Sequence, residues 1–572
     1  MIWTAALSCL LLGACFEDEG NYDYKPSEAP QWKIESNSLI RISCRAGDGE
    51  IVNFNGGDYY TWASDSVARA AEVRYEWKLN GVVFATEPSV KMPTDEFIKK
   101  AKITSYDSHG LSASFAIIEK ETEIVYMMPV LINIAKPHAI GDLVVLSEKA
   151  DGGSKLSFIK RSRTELPDGT RPLQYELKDN YYEEVNSEGL AGSPRSLVYT
   201  YGANNVSEVG SLSVLTSEGA YEVNPETFLK VQNLQDDFTG ATPDNLKVVD
   251  RQDAWGGPDG QGGLHSYMAT EDGRVFVKMM TKNNLGGKFQ SSPYVIDGKG
   301  YKITRFGSTQ VGYNCIPCYD ELNRRVLAIL FQESGESTEM WPGGPSFPTG
   351  TQYRISKIYP VKQPSIPVAN VPPVENMPAD TEMLQIGLCG MHYSGFTGPQ
   401  YYGIGMVYNT GGKTMLAECA IVGDKSGWGE LGNPSTWNNF NTLREFPGGN
   451  LDESSQILFA SYGREGYYPQ VIQNYMLYTK GHELFCLDRS NDFNKSFTIT
   501  LPDSSDKITG LKWAVYNDYD ELLIGTEKGK IYCYSNLSGL KPELSAQLDV
   551  QGKVVDFKEL YNYSNGSSRD NY

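Results

Sequence analysis

The chain has 572 residues, enough for two or more domains, and carries 51 basic against 71 acidic side chains for a formal net charge of −20. A surface of that sign repels phosphate backbones and anionic lipid, which excludes nucleic-acid binding and a polybasic membrane patch. Aromatics make up 12% of the residues, 36 of them Tyr, beside 57 Gly, a mixture that favours many short strands joined by tight turns.

Residues 1–14 read as a secretory signal. Ile2 to Ala14 is almost entirely apolar or small and ends in Leu12-Gly13-Ala14-Cys15. It is too short to cross a bilayer core of about 30 Å as a helix and matches the apolar region of a signal peptide. A Leu, two small residues and a Cys form the pattern that lipoprotein signal peptidase reads. Cleavage is expected before Cys15, whose sulfur would carry the lipid; an ordinary signal peptide with an incidental Cys is the alternative. No Lys or Arg precedes the run, and Cys9 lies inside it. Residues 15–28 follow as an acidic, polar tether, opening with Phe16-Glu17-Asp18-Glu19-Gly20. An acidic run directly after such a Cys resembles the signal that sends lipoproteins of Bacteroides-type bacteria to the outer face of the outer membrane.

Residues 29–137 are expected to form a β-sandwich of immunoglobulin type. Val73 to Phe84 alternates apolar and polar around Asn80-Gly81, a strong hairpin signal, and Ser112 to Ile118 alternates again. Trp77 sits mid-strand with no flanking Cys pair. The Tyr75-x-Trp77-x-x-Asn80-Gly81 and Asp107-x-x-Gly110 elements resemble a PKD (polycystic-kidney-disease) module. With Gly20-Asn21-Tyr22-Asp23-Tyr24 ahead of them, the match extends to PKD-like lipoproteins of Bacteroidota that accompany importers built from a SusC-like TonB-dependent transporter and a SusD-like lipoprotein.

Residues 138–565 contain a degenerate hairpin repeat, with 566–572 left as a disordered tail. Strand, polar turn and strand recur at 143–156, 212–223, 267–277, 294–303, 317–330, 405–416, 475–487 and 521–534. One hairpin cannot hide its apolar face, whereas radially stacked blades can. The expectation is an all-β chain: a PKD-like sandwich followed by a β-propeller of seven blades, with six or eight open. Two stacked sandwiches are the alternative. Val554-Val555-Asp556-Phe557 is placed to close the ring against the blade begun near Leu143. Residues 335–380, rich in Pro, read as a long insertion.

Chemistry is sparse. The histidines are scattered, and no Gly-x-Ser-x-Gly or His-Glu-x-x-His occurs. Cys315-x-x-Cys318 has redox or metal spacing, but with no second pair it reads as buried thiols. Asp250, Asp253 and Asp259 fit no known calcium loop and read as a solvated turn. No catalytic residue, metal or cofactor is assigned, and an enzyme is not expected. Aromatics cluster outside the repeat instead: Trp255; Tyr393, Phe396, Tyr401 and Tyr402; Trp428 and Trp437; Tyr467 and Tyr468. On a propeller rim they would offer flat apolar surface to a sugar or peptide, or else fill gaps between blades. The resemblance implies a surface-exposed outer-membrane lipoprotein that supplies glycan or peptide to the transporter and its SusD-like partner. A purely structural subunit and a lipid-anchored propeller hydrolase are the alternatives.

Overall fold

The computed structural model describes residues 28–560 apart from 36–37, 48, 104–109, 136–141, 164–166, 168, 170–171, 201–210, 256–263, 281–286, 309–314, 340–345, 365–366, 394–399, 423–434, 460–474, 515–520 and 538; for 331–356 and several strand ends the backbone alone is described. The chain divides into two compact units, one within residues 1–134 and one taking residues 135–572. Among the described residues no helix is long and apolar enough to cross a membrane.

The first unit is the expected β-sandwich. One sheet has the order Ile40–Arg45, Val125–Ala135, Leu111–Glu119, Val73–Leu79, Val82–Ala85. Ile51–Asn55 pairs with Ser89–Pro93, and Gln31–Trp32 with Tyr60–Thr61. Strand 73–79 buries Val73, Tyr75, Trp77 and Leu79 and turns Arg74, Glu76 and Lys78 outward. Its hairpin turns at Asn80 and Gly81 with φ of 47° and 84°, the two positive values a two-residue type I′ turn requires. Trp77 is fully buried, its ring 4.6 Å from Phe115 and 5.4 Å from Phe54, and its indole N–H donates to the Glu87 carbonyl at 3.0 Å. Two helices were not foreseen: Ser66–Glu72, capped by Asp65, and Thr94–Lys100, which buries Phe97 and Ile98. At two turns each they are too short for a 3.6-residue period to register.

The second unit is a β-propeller, with seven sheets among the described residues. Seven of the eight expected hairpins form, one per sheet, and they are the second and third strands of each blade. Blade one is Leu143–Glu148, Ser154–Arg163 and Leu173–Lys178, with the last strand, Val554–Glu559, paired antiparallel inside Leu143–Glu148. The ring therefore closes where the sequence placed it. The innermost strands are Pro194–Thr200 in blade two, Val248–Trp255 in three, Glu382–Tyr393 in five, Ile457–Phe459 in six and Ile508–Ala514 in seven. In blade four the inner position is held by the segment around Phe306, which bridges to Cys318.

Two expectations are corrected. Residues 294–303 make no hairpin: Tyr294 N–H donates to the Val275 carbonyl at 2.7 Å, and Tyr301 Oη donates to the Tyr294 carbonyl at 2.6 Å, an irregular path between blades three and four. Residues 335–380 are not an insertion. Ser346–Pro360 pairs along Arg325–Glu339 as one long hairpin, and Val361, Val374 and Met377 are buried in the core between blades four and five. Proline obscured this: Pro348 lies within the paired strand, Pro360 at its end, and Pro364, Pro367, Pro372, Pro373 and Pro378 in the connection that follows.

Candidate functional site

Propellers leave a central channel, and its wall here is the ring of innermost strands. Five of these strands carry a β-bulge at the same place, skipping Arg195, Val249, Leu384, Thr509 and Val555. A bulge re-aims the next side chain, and that residue is Ser196, Asp250, Gln385, Gly510 or Asp556. Two of them clasp adjacent blades. Asp556 accepts from Phe557 N–H at 2.7 Å and, across the seam, from Leu197 N–H at 2.8 Å. Asp250 does the same with Arg251 N–H at 2.8 Å and Phe306 N–H at 2.7 Å. At the equivalent place in blade four, Arg305 donates to Gln385 Oε1 at 2.8 Å and to the Leu384 carbonyl in blade five. Between blades four and five the backbone itself bridges: Leu388 N–H donates to the Ser308 carbonyl at 2.9 Å.

The clasps differ in charge environment. Lys558 lies 3.5 Å from Asp556, whereas the residue two beyond Asp250 is the neutral Gln252. Burial pushes the Asp250 carboxyl up to about 6, opposed by its two N–H donors and by Arg305 and Lys558. Arg305 reaches solvent yet is walled in by protein, and burial pulls its guanidinium down. Lys512, on the blade-seven strand, is pulled down by burial too.

The closing seam is polar at depth. Arg161 in blade one donates to Glu521 of blade seven at 2.9 Å and to Glu559 of the last strand, while Tyr175 Oη donates to Glu521. These three charged side chains are nearly inaccessible, at 1%, 2% and 6%. Burial raises the Glu521 carboxyl, with Arg161 opposing it. A comparable pair crosses another seam, Arg489 meeting Glu418 at 2.6 Å, while Arg251, paired with Asp253 on its own strand at 3.4 Å, sits in the field of Glu222 of blade two.

Of the residues singled out from the sequence, Cys15, Phe396, Trp428, Tyr467 and Tyr468 lie outside the described residues, and for Trp255, Tyr393, Tyr401 and Trp437 the backbone alone is described. Trp255 and Tyr393 end the inner strands of blades three and five, at the same propeller face. Tyr402 is corrected: it is 7% exposed and packs in the core of blades four and five, not on a rim. Asp250 and Asp253 belong to a strand, not to a solvated turn, and Asp259 lies outside the described residues. Cys315 and Cys318 are both buried and face different cores, three residues apart on one strand, so they do not make a pair. No cluster of three or more metal-ligating side chains occurs among the described residues.

The clasps were missed, though a signal existed. Lys-Val-Val-Asp occurs at 247–250 and again at 553–556, and Lys-Ile-Thr at 302–304 and 507–509. Each opens an inner strand, and in all four the Lys carbonyl accepts a backbone N–H from the end of the second strand.

Residues 15–194 match the PKD-like family. No curated protein matches the chain. Among solved structures, it is similar to a quinonprotein alcohol dehydrogenase-like protein from Bacteroides thetaiotaomicron, at 12% identity and a TM-score of 0.37 over 92% of this chain and 98% of that one. It is also similar to AztD from Citrobacter koseri, at 11% identity and a TM-score of 0.29 over 78% and 94%. The Dos1 propeller matches at 8% identity and a TM-score of 0.30 over 73% and 86%. Likenesses this distant carry no activity across.

Proposed function

We propose that the chain is a lipid-anchored protein of the outer-membrane surface whose propeller captures glycan or peptide for a SusC-like transporter and its SusD-like partner, with the PKD-like unit as spacer. The observation that carries this reading is convergence. The inner strands of blades three and five end in the aromatics Trp255 and Tyr393 at one propeller face, which is also a mouth of the channel. Rigid aromatics around polar groups are what a sugar or peptide site needs: stacking surface at low entropy cost and a few directional donors and acceptors. The anchoring half of the proposal draws on the PKD-like match, which begins at Cys15 and takes in the acidic tether.

Two measurements test it. Mass spectrometry of the membrane-derived protein should find diacylglycerol on Cys15; an unmodified thiol at a mature N-terminus removes the anchor. Changing Trp255, Tyr393 and Trp428 together to Ala should abolish retention of the glycan or peptide ligand. Affinity that survives all three changes locates capture elsewhere, and a chain that retrieves the transporter but holds no nutrient is a structural subunit.

A further inference from the structure

We propose that the acidic segment 16–27 docks back across the outer face of the PKD-like sandwich, with its aromatics over Val125 and Met127. The five-stranded sheet turns one face to the core and one outward. Strand register puts Arg74, Ile118 and Val125 in one outward row, Glu76, Ala116 and Met127 in the next, and Lys78, Ser114 and Pro129 in a third. The outward face of such a sheet is ordinarily polar. Here Val125 is 55% exposed, Met127 62% and the adjoining Ile124 40%, with Pro129 exposed beyond them. An apolar strip therefore lies open along one strand.

The same strands turn out Arg41, Arg45, Arg74 and Lys78 but, of acids, Glu76 alone. Glu76 is shared by Arg74 and Lys78, and Glu123 of the adjoining turn also meets Arg74; Arg41 forms no ion pair among the described residues. Segment 16–27 has the complementary composition: Phe16, Tyr22 and Tyr24 among Glu17, Asp18, Glu19 and Asp23, with Lys25 its one cation. The route is short. Glu28, the next residue, accepts from the N–H groups of Ala63 and Ser64 at 2.8 Å each. Arg69 Nη2 donates both to the Glu28 carbonyl, at 2.9 Å, and to Glu119, at 2.8 Å. Glu119 in turn donates its N–H to the Ile124 carbonyl at 3.0 Å, so the segment joins the sandwich at the Ile124 end of the strip. Twelve extended residues span up to about 40 Å, and the strip from Val125 to Leu131 only about 20 Å. Docking of this kind depends neither on acylation of Cys15 nor on nutrient capture, but it shortens the reach from an anchor there.

The test uses the full soluble chain from residue 16, whose seven cysteines are buried and resist labelling. Bimane, a dye that tyrosine quenches on contact, is placed on Met127→Cys. Its emission should rise about twofold when Tyr22→Leu and Tyr24→Leu are added, because the quenching rings are gone. Arg41→Glu should raise it as well, by repelling the acidic residues. Val125→Cys should repeat the result, whereas Ile51→Cys, 56% exposed on the strand paired with Ser89–Pro93, should not respond. Equal emission with and without the two tyrosines, at both Met127 and Val125, refutes the docking, as does the same rise at Ile51. If the dye instead shifts to the blue only on adding phosphatidylglycerol vesicles, with no effect of the tyrosines, the face belongs to a lipid surface and the proposal falls.

Discussion

Asp250 and Asp556 make the same pair of hydrogen bonds in two blades, but Lys558 attends one and Gln252 takes its place beside the other. Burial favours the protonated form of a carboxyl and here outweighs Arg305 and Lys558, so Asp250 is raised to about 6 from an ordinary value near 4. The sign follows by linkage. A carboxyl raised on folding stabilises the native state below its ordinary value, and that contribution is lost as pH rises through about 6. Roughly 2–3 kcal/mol is at stake, at 1.36 kcal/mol for each pH unit. Subtracting the stability profile of Asp250→Asn from that of the wild type, by urea melts between pH 4 and 7.5, should show a fall over this range. A flat difference would mean that burial does not hold the Asp250 carboxyl above its ordinary value. The repeated Lys-Val-Val-Asp marks the two Asp as equivalent, but their partners could not be assigned from the sequence, because each is a backbone N–H some 50 or more residues away.

At the scale of strands, what was legible was what depends on neighbours in sequence. The hairpins at 143–156, 212–223 and 521–534 announce themselves through alternation and a glycine turn, and they formed. The 294–303 stretch has the same Asp-Gly signature, yet Tyr294 and Tyr301 tie it to the blade-three strand and the competing hairpin never pairs. The inner strands were the least legible, since their alternation is broken by the bulge. The closing seam shows what such non-local contacts are worth. Arg161→Met would leave Glu521 and Glu559 buried without their guanidinium, and denaturant unfolding should show a loss of about 3–5 kcal/mol. Adding Glu521→Gln and Glu559→Gln to that variant should recover most of it, because the cost lies in the stranded charges and not in the absent pair. In the first unit, Trp77→Ala should cost a similar amount, about 3–5 kcal/mol, by emptying the space between Phe54 and Phe115.

For the molecule as a whole, the sequence conveyed the class of each unit but not the working surface, because the channel is assembled from six strands and the segment around Phe306, spread over some 360 residues. Ending the chain before Val554 should expose the inner edge of Leu143–Glu148, and thermal melts of that variant should lose their single steep transition. Blade one is thus built from both ends of the propeller sequence. Because the polypeptide is made N-terminus first, its earliest blade waits with an open edge until Val554–Glu559 has been delivered. Any factor that shields such edges during folding therefore has its longest task at Leu143–Glu148, and completion of the ring acts as a check that all seven blades have been made.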